Sequence, residues 1–180
     1  ETADGMLIRR IYHIAPTDSD VEPYIIKHST VIQNGSSSAK ILPTVYFNLG
    51  TARRIVDDQF GTSYLNVSYF NGEDVEFIPM KKLTGGNGFL GIGASPKTDE
   101  ITKSDRIEWA SVKNQFFASV LYSDDGPATD LSIYSVDAST DRSPGISGSA
   151  GYNFGSLQVG EVKSLDFQIY ENSYWNFRYL

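Results

Sequence analysis

Apolar and polar residues alternate along most of this chain, and alternation at a period of two predicts β-strands. Ile8, Arg10, Tyr12 and Ile14 fall on one side of a first strand, with Arg9, Ile11 and His13 on the other. Ala15 to Glu22 is a turn-rich break around Pro16. Tyr24 to Gln33 is rich in β-branched residues and runs into Asn34-Gly35, a strong hairpin signal. Ile41 to Leu49 resumes a strand, and Pro43 points to an edge or a bulge. Tyr64 to Phe70 alternates and ends at a second Asn-Gly, Asn71-Gly72, which predicts a hairpin with Val75 to Met80. Ile107 to Ser111, Phe116 to Tyr122, Leu131 to Val136 and Val162 to Tyr170 complete the predicted strands. Gly50 to Asp58 is the best short-helix candidate. Gly85 to Ser95 reads as a glycine-rich loop. Gly145 to Gly155, with four of the 16 glycines, reads as a loop or an irregular edge.

Short strands recurring roughly every 8–15 residues, separated by Gly, Asn and Asp, describe an antiparallel sandwich or barrel. The expectation is one all-β domain over residues 1–180, a twisted antiparallel β-sandwich with at most short helices. The 180 residues suffice for a core without staples, and zero Cys removes disulfides, thiolate metal sites and cysteine nucleophiles. With 22 acidic and 15 basic side chains the formal charge is −7, which argues against nucleic acid and against adsorption on anionic lipid. The 10 Phe, 11 Tyr and 2 Trp suit half-buried pleated surfaces.

Candidate chemistry is sparse. A β-sandwich sugar epimerase needs an acid and a base facing one another across a cleft. His13 and His28, both on predicted strands, and the nearby Glu22 are the candidates, although hydrogen-bonded or solvent-facing histidines are the commoner outcome. The glycines of Gly85 to Gly93 lack the Lys-Ser/Thr ending and the following helix of a phosphate loop. Asp57-Asp58, Asp124-Asp125 and the Asp137/Asp141 pair lack calcium-loop spacing, and Asp124-Asp125-Gly126-Pro127 reads as a turn. Ser147 lacks a nucleophile-elbow frame, with no His downstream. Trp109, Trp175, Tyr174 and Phe177 offer rings for sugar stacking, but a strand tryptophan such as Trp109 is expected in the core. No catalytic or metal-ligating set is expected from the residues, no ligand-binding residue is identified, and no cofactor is implied.

Three stretches together carry a family resemblance. Arg106-Ile-Glu-Trp-Ala-Ser-Val-Lys-Asn-Gln-Phe-Phe-Ala-Ser-Val-Leu121 resembles a W-x-x-V-K-N-Q-Y-F-x-A-x-L segment of the extracytoplasmic domain of YidC membrane protein insertases. Ile8 to Ile14 with Tyr24 to Asn34, and Leu157 to Tyr170, resemble that domain's strands in the same order. The family's P-G-E proline is Val159 here, and Glu171-Asn172-Ser173-Tyr174 stands where the family has A-G-P-K. The resemblance implies a β-supersandwich of mutarotase-like shape and a non-catalytic periplasmic domain that acts by binding and scaffolding. It implies Sec translocon components and nascent membrane proteins as partners. It also implies a tether to the bacterial inner membrane in a longer protein, of which residues 1–180 would be an excised part. It carries over no functional residue. A carbohydrate-binding module and a mutarotase-like epimerase are the alternatives.

Overall fold

A computed structural model describes residues 2, 4–14, 24–55, 61–85, 96–136 and 144–173. In chain order the strands are β1 (Met6–Ile14), β2 (Ile25–Asn34), β3 (Lys40–Ile41), β4 (Val45–Ala52), β5 (Asn66–Phe70), β6 (Val75–Pro79) and β7 (Glu100–Ile107). They continue with β8 (Trp109–Lys113), β9 (Phe117–Ser123), β10 (Ala128–Val136), β11 (Gly145–Tyr152), β12 (Ser156–Leu157) and β13 (Val162–Ser173). Helix among the described residues is confined to single turns at Gly61–Tyr64 and Lys81–Thr84.

The strands form a seven-stranded sheet in the order β1-β2-β13-β9-β8-β5-β6 and a four-stranded sheet in the order β4-β11-β10-β7. A small pair, β3 with β12, stands apart. Every pairing is antiparallel. The period-two pattern now has a physical use. Val67, Ile78, Val112, Leu121 and Phe167 of the large sheet are buried with Phe47, Leu49, Leu131, Ile133 and Ile146 of the small one. This is the all-β sandwich that the alternation predicts, each sheet giving one face to a shared core.

The second hairpin signal works as read. Asn71 accepts the backbone N–H groups of Glu73 and Asp74 on its Oδ1, at 2.9 and 2.8 Å, and Gly72 takes φ +100° in the turn between β5 and β6. The first does not. Asn34 ends β2, but β2 pairs with β1 and β13 rather than with the strand that follows it. The fully buried Asn34 side chain instead clamps the loop. Its Nδ2 donates to Ser38 and Leu157 carbonyls at 2.8 and 3.0 Å, and its Oδ1 accepts from Ser36 N and Oγ at 3.0 and 2.7 Å. Asn34→Ala strands these partners and is expected to cost about 1–3 kcal/mol. The check is the midpoint of urea unfolding, which should fall with the slope unchanged.

Two other expectations are corrected. The Gly50–Asp58 helix is absent where it can be seen: Gly50–Ala52 ends β4 and residues 53–55 are irregular, while Val56 to Asp58 lie outside the described residues. The supposed loop at Gly145 to Gly155 is mostly β11, an interior strand buried at every position. Ile146, Gly148, Ala150 and Tyr152 alternate with Gly145, Ser147, Ser149 and Gly151. The first set faces the core. The second lies under side chains of β4 and β10, where Asn48 Nδ2 donates to Tyr134 Oη at 2.7 Å and lies 3.2 Å from both serine hydroxyls. Small residues are needed because an added Cβ at Gly151 would stand 2.7 Å from Thr44 Cγ2 and 2.8 Å from Tyr46 Cε1. All but Gly85 of the Gly85–Ser95 loop lies outside the described residues.

Candidate functional site

The histidines do not make a site. His28 on β2 faces the interior and is buried. Its ring stacks on Tyr12 at 4.4 Å and on Phe167 at 5.6 Å, with Nε2 3.1 Å from Thr30 Oγ1. His13, next to Tyr12 on β1, is exposed on the opposite face of the sheet, because neighbouring strand residues point opposite ways. Glu22 lies outside the described residues. The acid–base pair expected of an epimerase is therefore not these two rings. Burial, and to a lesser degree the Arg10 charge, holds the His28 pKa below its ordinary 6.5. As pH falls through 6.5 the unfolded chain takes up this proton before the folded one does, so stability declines. Above about pH 7 the contribution is complete. The melting temperature is expected to drop between pH 7 and pH 5, and His28→Gln to flatten that part of the profile.

The other candidates have structural work. Trp109 is half-buried rather than core: it lies on the outer face of the large sheet, stacked with Phe70 at 6.3 Å, while Ala110 and Val112 point inward. Asp124 and Asp125 form the turn after β9, with Asp125 Oδ2 accepting the Asp166 N–H at 2.6 Å and Asp124 accepting from Gln168. Ser147 is buried in β11 and donates to the Gly50 carbonyl at 2.7 Å. Trp175, Tyr174, Phe177, Asp57-Asp58 and Asp137/Asp141 lie outside the described residues. Among the described residues no three His, Cys, Asp or Glu side chains converge as metal ligands.

Among the described residues, two concavities stand out. One, of about 320 Å³, lies beside the Asp125–Pro127 turn. Its charged groups are already engaged: Lys163 Nζ donates to the Phe154 and Ser156 carbonyls at 2.7 and 3.0 Å, and Asp125 holds Asp166. The second, of about 550 Å³, opens between the two sheets where β4 parts from the large sheet. Its floor is Leu49, Ala52 and Val112, and its volume suits a small polar ring compound.

The wall of this second cleft is built by register. The Glu171 N–H donates to the Tyr24 carbonyl at 3.1 Å, extending the β2–β13 ladder by one residue. Glu171 also stands opposite Ser119, and Ser119 opposite Val112. Tyr24, Glu171, Ser119 and Val112 thus form one row across four neighbouring segments, with Cβ spacings of roughly 4.5–5.5 Å. Phe117, two residues from Ser119 on the same face, is 56% exposed at the mouth, and Tyr24 is 44% exposed. Tyr24, just before β2, packs edge-on against Tyr170 at 6.4 Å, a residue on the opposite face of β13 from Glu171, so its ring sits at the rim of the cleft. Asn114 also lines the cleft, but its side chain is spent on the turn: Oδ1 accepts from Phe116 and Phe117 N–H groups and Nδ2 donates to the Arg53 carbonyl. Among the described residues that line the cleft, Glu171 is the one carboxylate, and Tyr24, Ser119 and Thr51 line it with hydroxyl-bearing side chains.

No protein-family model and no curated protein matches the sequence. Among solved structures, the chain is similar to a protein of Escherichia coli K12 provisionally named an aldose 1-epimerase. The TM-score is 0.51 at 9% identity, over 96% of this chain and 67% of that one. The architecture is mutarotase-like. A galactose mutarotase related enzyme of Lactobacillus acidophilus overlaps with a TM-score of 0.48 at 9% identity, over 96% and 70% of the two chains. At such identity the likeness fixes the fold. The similar fold of the Escherichia coli protein carries an aldose-epimerase name, and that finding corrects the expected function as a non-catalytic insertase domain and the expectation that the chain is no enzyme. No helix of the described residues is long and apolar enough to cross a membrane.

Proposed function

We propose that the chain binds an aldose in the cleft between the parted sheets and interconverts its anomers. The observation that supports this reading is the Tyr24–Glu171–Ser119 row, a carboxylate between two hydroxyls on the wall of a cleft with an exposed ring at its mouth. Anomer exchange needs a proton removed from the anomeric hydroxyl and a proton delivered to the ring oxygen. The bond between the anomeric carbon and the ring oxygen then breaks, leaving the open-chain aldehyde. Rotation and ring closure on the other face restore both protons. Glu171 is assigned the first transfer and the Tyr24 hydroxyl, beside it on the same wall rather than across the cleft, the second. Phe117 offers an apolar face to the C–H side of the sugar ring.

The test is the rate at which a freshly dissolved α-aldohexose equilibrates, followed by polarimetry across a panel of hexoses. Wild-type protein is expected to accelerate equilibration in proportion to its concentration, and Glu171→Gln to lose about 10²–10⁴-fold of that acceleration. Acceleration that survives Glu171→Gln overturns the assignment. Sugar-dependent shifts of the Tyr24 and Phe117 ring resonances without acceleration would leave a carbohydrate-binding module, the second reading that the exposed rings favour.

A further inference from the structure

The large sheet has two edges, and they are finished differently. At one end β6 is five residues long and closes on Pro79, a short edge of the kind that resists further pairing. At the other, β1 runs for nine residues without Pro, Gly or Lys, and its register with β2 is unbroken from Met6 opposite Asn34 to Ile14 opposite Ile26. The small sheet's edges, β4 and β7, both carry register shifts against their neighbours. Only β1 combines length, regularity and an open side among the four edges described.

The backbone groups on that side can be assigned. The Gly35 N–H donates to the Gly5 carbonyl, which fixes the alternation of the β1–β2 ladder. Leu7, Arg9, Ile11 and His13 then direct their backbone groups to β2, and Met6, Ile8, Arg10, Tyr12 and Ile14 direct theirs outward. Met6 shows what the outer edge accepts. Its N–H donates to Thr2 Oγ1 at 3.0 Å, and its carbonyl takes the Thr2 N–H at 2.8 Å. Beyond this short return no described residue pairs with the outward groups of Ile8, Arg10, Tyr12 and Ile14.

The side chains define what lies there. Leu7, Ile8, Ile11, Tyr12 and Ile14 are between 40 and 67% exposed, on both faces of the strand. Arg9 and Arg10 sit between them, exposed, on opposite faces and without an ion pair among the described residues. They are a local cationic point on a chain of net charge −7. A second copy of β1 in this position would gather four guanidinium groups in one seam, which charge repulsion opposes.

We infer that the outer edge of β1 captures an extended segment of a partner protein by strand addition, and that the segment carries two consecutive carboxylates between apolar residues. The two carboxylates fall one on each face, as Arg9 and Arg10 do, and the apolar residues cover the exposed isoleucines and Tyr12. Four outward N–H groups and four carbonyls supply the affinity, and the arginines set the register.

The test uses this chain and an acetylated, amidated peptide of sequence Thr-Val-Ile-Glu-Glu-Val-Thr-Val, read by amide hydrogen exchange and by titration. Binding is expected to slow exchange at Ile8, Arg10, Tyr12 and Ile14 and to leave the amides already paired with β2 unchanged. Exchanging the Glu-Glu pair for Lys-Lys, or making Arg9→Glu/Arg10→Glu, is expected to weaken binding at least about tenfold. A peptide N-methylated at alternate residues is expected not to bind, and that arm needs no altered protein. The inference is overturned if the peptide leaves those four amides unprotected. Binding indifferent to charge reversal and to N-methylation overturns it too. So does protection present without peptide in a species of twice the chain mass, which would make the occupant a second copy.

Discussion

Phe167→Ala is expected to destabilise the fold by about 3–5 kcal/mol, a large share of the roughly 5–15 kcal/mol that holds a domain together. Phe167 is 1% exposed on β13, the strand that joins the two halves of the large sheet. Its ring centroid lies 4.3 Å from Phe47, 5.2 Å from Tyr152 and 5.6 Å from His28, so rings from β2, β4 and β11 converge on it. Truncation removes its own transfer free energy and leaves a void that three rigid rings cannot close. Burial also raises the Tyr152 phenol pKa well above its ordinary value. Thermal unfolding of the variant measures the loss, with Phe167→Leu expected to recover part of it. A loss under about 1 kcal/mol would mean the cluster collapses freely and does not brace the sheets.

Gly148→Val carries the second large effect, expected at about 1–3 kcal/mol or more. A Cβ at this position would lie 3.0 Å from Leu49 Cδ1 and 3.3 Å from both methyls of Val67. Those side chains are themselves buried, one in each sheet, so the two layers would have to move apart. Overpacking rather than backbone strain is the cause, since Gly148 is not among the glycines with positive φ. Leu49→Ala in the same chain should then relieve part of the cost, and a double-mutant cycle reads that coupling directly. Strictly additive losses would place the strain elsewhere.

These two residues mark where sequence reasoning works and where it stops. Phe167 belongs to the alternating run Val162 to Tyr170, and its inward position follows from the pattern. Gly148 belongs to a strand with little apolar alternation to read. In β11 smallness is what the fold selects, because both neighbouring strands press their side chains over it, and small residues look like a loop when the neighbours are unknown. The strand β7 hides for the opposite reason. In Glu100–Ile107 only Ile101 and Ile107 are apolar, since an edge strand needs little cover. Asn34-Gly35 misleads because Asn34 serves a buried clamp rather than a two-residue turn. The cleft is the least legible of all. Tyr24, Ser119 and Glu171 are far apart in sequence, and no spacing rule connects them. Antiparallel register alone makes them a row, and the two histidines that draw attention in the sequence are separated by the pleat of the sheet.

The position of β13 in the middle of the large sheet also bears on how the chain acquires its structure. During synthesis β1–β2 and β8–β9 emerge as local antiparallel pairs before β13, the last of the described strands, through which alone β2 and β9 meet. Until residues 162–173 leave the ribosome, each pair keeps an unsatisfied inner edge, and the largest sheet cannot close. Completion waits on contacts of high sequence separation, which slows folding and prolongs the interval in which those edges are open to chaperones or to aggregation.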